Sequence, residues 1–129
     1  MIKGYDIVSL KRLVLQLGQG TDIRGANNTK AAKRAVRNAI SRNNLNIAET
    51  LGQPREQMDI QVIIGAPKPE TVDKTAVAAV FPYGKIEVQC ENGGLEIANP
   101  NTNDSTLLVH AAVIVRMEIP KPQLKKDVM

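Results

Sequence analysis

The stretch Thr106–Ile119 reads Thr-Leu-Leu-Val-His-Ala-Ala-Val-Ile-Val-Arg-Met-Glu-Ile. Its middle, Val109 to Val115, is apolar at nearly every position rather than at alternate ones. A strand sends successive side chains to opposite faces, so a strand of this composition is buried on both sides. The chain must therefore place this strand inside a sheet whose two faces both need cover.

The rest of the chain supplies one such layer. Arg12 to Leu17 is read as a buried strand ending at Gly18. A glycine-bearing loop, Gly18 to Gly25, follows, and Asn28 or Thr29 caps a helix from about Thr29 to Arg42. At 100° per residue, Ala31, Ala32, Ala35, Val36, Ala39 and Ile40 share one arc, and Lys30, Lys33, Arg34 and Arg37 the opposite one. Met58 to Gly65 is a second strand, and Thr71 to Phe81 a second helix. Lys85 to Glu91 alternates as a half-buried strand. Asn92-Gly93-Gly94 predicts a hairpin turn into a short return strand, Leu95 to Ala98. The expected fold is α/β (α+β): a β-α-β-α-β-β mixed sheet with helices on one face. Two helices cannot cover both faces, so a second copy is expected on the other, giving a homo-oligomer. Residues 1–119 form a single domain, and 120–129, with two prolines and three lysines, a tail.

Composition removes several classes of function. A lone cysteine, Cys90, excludes an internal disulfide and a cysteine-only metal cluster, and fits a reducing, cytoplasmic setting. No run approaches the roughly 18 apolar residues of a membrane span, and no signal peptide is evident. The net charge is +4. Aromatic residues are only Tyr5, Phe81 and Tyr83, too few to stack single-stranded bases, so nucleic acid is disfavoured against a small anionic ligand. No cofactor or metal motif is present, and none is expected. The Gly18–Gly25 spacing matches neither a dinucleotide fingerprint nor a P-loop.

The same loop nevertheless suits an anion. Backbone N–H groups at a helix start carry partial positive charge, and glycines admit a ligand to them. Gly18, Gly20, Arg24, Gly25 and Lys30 are the candidate ligand-binding residues. A plain strand-to-helix turn is the competing explanation. Asp22 either pairs with Arg24 or serves as a base while Arg24 holds a carboxylate. Lys33, Arg34 and Arg37 are expected to be a solvated face. Lys30 stands apart, because a cation in the first helical turn is reasonable when an anion is near. Arg24→Ala is thus expected to weaken an anion far more than Arg37→Ala. His110 is expected to be a packed strand residue, and Cys90 a small buried hydrophobe.

Two resemblances rest on these residues. Gly-Gln-Gly-Thr-Asp-Ile-Arg-Gly at 18–25 is similar to the G-x-G-x-D-x-H-G signature of a small uncharacterised family of bacterial and plant proteins. Thr29-Lys30-Ala31-Ala32, Arg34-Ala35-Val36-Arg37 and Gly93-Gly94-Leu95-Glu96 also resemble it. Arg24 replaces the signature histidine, and the resemblance brings no activity with it. The element order and Ile23-Arg24-Gly25-Ala26 also look like the trimeric chorismate-mutase type, whose architecture is related to that of reactive-imine deaminases. That resemblance implies a trimer with intersubunit sites lined by Arg24, Cys90 and a glutamate, either Glu91 or Glu96. Asp22, Glu91 and Glu96 are then the candidates for proton transfer. The expected function is binding of an anionic metabolite at subunit boundaries, as an isomerase or ring-opening hydrolase, or as a non-catalytic binding or regulatory protein.

Overall fold

In the computed structural model the described residues are 8–41 and 46–120. The long apolar strand, β5 (Ser105–Pro120), is the spine of a five-stranded mixed sheet. On one side it pairs antiparallel with β1 (Val8–Asp22). On the other it pairs antiparallel with β2 (Asp59–Ala66) and, further along, with β4 (Leu95–Ala98). The edge strand β3 (Lys85–Asn92) runs parallel to β2. The mixed α+β class expected from the sequence is therefore the one observed.

The helices α1 (Asn28–Ser41) and α3 (Lys74–Ala78) lie together on one face; a four-residue α2 (Ile47–Thr50) follows α1. The alanine stripe of α1 is fully buried against Ile60, Val62 and Ile64 of β2 and Leu107, Val109 and Val113 of β5. Small side chains let the helix approach the sheet closely, and β1 meets it with Gly18 and Gly20. A Cβ on Gly18 would collide with the backbone of Ala39, and one on Gly20 with the backbone of Ala35.

That contact corrects the expected loop. The strand does not stop at Gly18 but continues to Asp22, with Gly18 opposite Ala111 and Gly20 opposite Val109 of β5. The connection shrinks to Ile23–Asn27 and holds Ala26 at φ +50°, a left-handed conformation that costs an alanine roughly 1–2 kcal/mol. The cap is Asn27, whose Oδ1 accepts the Lys30 N–H at 3.0 Å. Asn28 is instead buried, and accepts the Lys68 N–H at 3.3 Å.

Two further expectations change. The second helix is cut to α3, because Asp73 caps it by accepting the Ala76 N–H at 3.1 Å and Val72 before it is extended. Residues 92–94 are not a hairpin turn: β4 pairs with β5, not with β3. The chain crosses the end of β2, where the Gly93 N–H donates to the Ala66 carbonyl at 3.0 Å. A Cβ on Gly93 would stand 2.9 Å from Gly65 Cα, so only glycine allows this crossing. The expected helix end near Arg42 and the tail beyond Pro120 lie outside the described residues.

Among the described residues, no helix covers the opposite face of the sheet. Leu15 and Leu17 are 45% and 61% exposed there, beside Ile63 and Ala112. Part of it is spanned by side chains: Arg116 donates to Gln61 Oε1 at 2.9 Å, and Gln61 Nε2 to Gln89 Oε1 at 2.7 Å. No helix among the described residues is long and apolar enough to cross a membrane.

Candidate functional site

Asp22 ends β1 and turns its carboxylate under the start of α1. Its side chain is almost fully buried; Oδ2 accepts the Asn27 N–H at 2.9 Å, and Oδ1 lies 3.8 Å from Arg34 Nη1. Arg34 Nη1 also donates to the Thr21 carbonyl at 2.7 Å. Asp22 thus pairs with Arg34 across the turn, and not with Arg24. An acceptor at a helix N-terminus satisfies an orphan donor and complements the helix dipole. This arrangement occupies the carboxylate with backbone and guanidinium partners.

Beyond Arg34 the outer face of α1 forms a cavity of about 420 Å³. Among the described residues, Lys30, Lys33, Arg34 and Arg37 line it together with Asn27 and Thr29, and no carboxylate does. The spacing 30, 33, 34, 37 follows the i, i+3, i+4, i+7 rule for one helix face. Thr29 closes the rim: its hydroxyl donates to the Thr71 carbonyl at 3.3 Å and accepts the Asp73 N–H at 2.8 Å. Lys30, Lys33 and Arg37 make no ion pair among the described residues. The volume is within the range of small-molecule pockets, about 300–1,000 Å³.

The other candidate residues lie outside this cavity, although Glu96 and Asp22 both align with Leu107. Gly18 and Gly20 lie in the β ladder beneath α1, away from this cavity. Arg24 and Gly25 lie exposed in the connection, with Gly25 bridging to Ser105. Cys90 is half-buried on the helix-facing side of β3, where burial pushes its thiol pKa up and Lys74 opposes the rise. Glu91 aligns with Gly65 and His110 on the open face. Glu96 aligns with Leu107, whose side chain faces the helices. The two glutamates thus belong to opposite faces of the sheet and do not converge. His110 is exposed rather than packed, and lines one cavity on the open face and another that reaches round β1 to Asn38 of α1.

Lys33 and Arg37 were readable as one basic face but not as a cavity wall. A helical wheel shows which residues share a side; it does not show what rises beside that side. Here every described lining residue belongs to α1 or to its cap Asn27, and Thr29 ties that face to Thr71 and Asp73.

Comparison with known proteins gives two findings. Residues 12–115 match the family described as Conserved hypothetical protein (Lin0512_fam). A crystal structure of an FtsZ-like protein of unknown function from Nostoc punctiforme superimposes with a TM-score of 0.76 at 38% identity, covering 87% of this chain and 99% of that one. That relative is described as FtsZ-like, not as a chorismate mutase. No curated protein matches the chain.

Proposed function

The chain belongs to this conserved hypothetical family, and from that premise we propose that it binds a small anionic metabolite in the basic cavity of α1. One observation carries the reading: four cationic side chains line a single cavity, and no carboxylate of the described residues lines it. Like charges held together on a helix repel, and an anion removes that repulsion. Lys30 and Arg37 hold the two ends of the ligand, with Lys33 between them. Arg34, already tied to Asp22 and Thr21, holds the near wall in place. Arg24 does not line the cavity, so on this reading the large loss expected for Arg24→Ala moves to Arg37→Ala. Binding rather than turnover is favoured, because Asp22 is engaged with its own helix, and Glu91 and Glu96 lie elsewhere. The setting proposed is a cytoplasmic homo-oligomer.

The test is calorimetric titration with inorganic pyrophosphate and with citrate at about 0.15 M salt, where the screening length is near 8 Å. Lys33→Ala and Arg37→Ala should each weaken binding by about 10-fold or more, as expected for a charge-assisted contact. Lys85→Ala, on the far edge strand, should not. Equal loss in all three variants would mean only diffuse attraction to a basic protein, and would remove the site.

A further inference from the structure

On the open face, Glu91 of β3, Gly65 of β2 and His110 of β5 stand in one row. Neighbouring strands lie about 4.8 Å apart, so the backbones bearing the carboxylate and the imidazole are roughly 9.6 Å apart. The position between them has no side chain. The result is a slot with the Gly65 main chain as its floor. It belongs to a cavity of about 270 Å³, bounded by Asn92 and Gly93 at one end and by Leu17, Ile63 and Ala112 along its side.

Neither conformation nor packing requires glycine at 65. Its φ is not positive. A methyl group there would meet Gly93 Cα at 3.6 Å and His110 Cβ at 4.0 Å, ordinary contact distances. Its effect is to leave the slot open. Among the described residues, Glu91 is the one carboxylate in the lining, and no Lys or Arg enters it. The sign is opposite to that of the α1 cavity.

We infer that this slot binds a small protonated amine with a compact apolar body. The ammonium group donates to the Glu91 carboxylate, the body lies on Leu17, Ile63 and Ala112, and His110 forms the facing wall. The inference is independent of the anion site, since the two cavities share no residue.

His110 is the sole histidine, so its imidazole signals in a proton–nitrogen NMR spectrum report the slot without ambiguity. The probes are benzylamine and, as its uncharged counterpart, benzyl alcohol. Benzylamine should shift the imidazole signals saturably, and benzyl alcohol should bind at least about 10-fold more weakly. Glu91→Gln should erase that difference, and Gly65→Ala should weaken both probes by filling the slot. Lys33→Ala should change neither. Glu91 is exposed on an edge strand, so Glu91→Gln remains decisive should Gly65→Ala fold poorly. The inference is overturned if benzylamine gives no saturable shift, if the alcohol binds equally well, or if Glu91→Gln leaves the preference for the amine intact.

Discussion

Asp22 and Asn28 are the buried polar residues among those described, and both tie the start of α1 to the sheet and to the segment before α3. Asp22→Ala leaves the Asn27 N–H without its acceptor and Arg34 without its counter-ion. Losing a charge-assisted bond costs about 1.5–3 kcal/mol, so urea unfolding should show a loss of that size. Asp22→Asn, which keeps an acceptor, should lose less. A stable Asp22→Ala would return this carboxylate to the list of chemical candidates. Cys90 gives a second prediction. Burial raises its thiol pKa above the ordinary 9.0, so the folded chain holds the proton more tightly than the unfolded chain. The associated stability is complete below the unfolded value and is lost as pH rises through the folded one. Iodoacetamide should accordingly react more slowly with native protein than with urea-unfolded protein at pH 8 to 9. Equal rates would show that the thiol is not shielded.

The pairing of β1 with α1 shows how far local patterns carry. The alanine stripe predicts a close helix–sheet approach, and that approach is present. Its counterpart was misread, because Gly18 and Gly20 resemble loop residues when their partner is unknown. Glycine is a poor strand former in isolation; here the missing side chains make room for the helix backbone. Gly20→Ala should therefore force α1 off β1 and lower stability by about 1–3 kcal/mol or more. Thermal unfolding measures it, and a neutral Gly20→Ala would show that the helix can move away without loss. The same limitation affected Gly93-Gly94. A hairpin turn and a crossing over the end of β2 place the same residue types at the same spacing.

Among the described residues, one face of the sheet lies under helices and the other does not. On that open face Leu10 and Leu15 are exposed beyond the amine slot, and they form the apolar area that a second copy would cover. Covering apolar surface contributes about 25 cal/mol per Å² removed from water. Sedimentation should show an oligomer at micromolar concentration, and Leu15→Lys, outside the slot, should shift it towards monomer. A 14.0 kDa species for the unaltered chain would remove the proposal.

The β5 run, the alanine helix and the alternation of β3 are each recognisable in the sequence, because periodicity is a property of neighbours along the chain. They give the class of fold, a final strand buried on both faces and the buried face of the main helix, while the central place of β5 follows from its pairing. Three facts depended on contacts between distant segments. Asp22 meets Arg34 only because β1 runs on under α1. Thr29 at the cavity rim is held by the Thr71 carbonyl and the Asp73 N–H only because the Pro69–Thr71 turn packs beside α1. Glu91 faces His110 across Gly65 only through the register of β3 on β2 and of β2 on β5. Register and cavity walls arise when segments far apart in the chain pack together, and residue spacing carries no direct record of that.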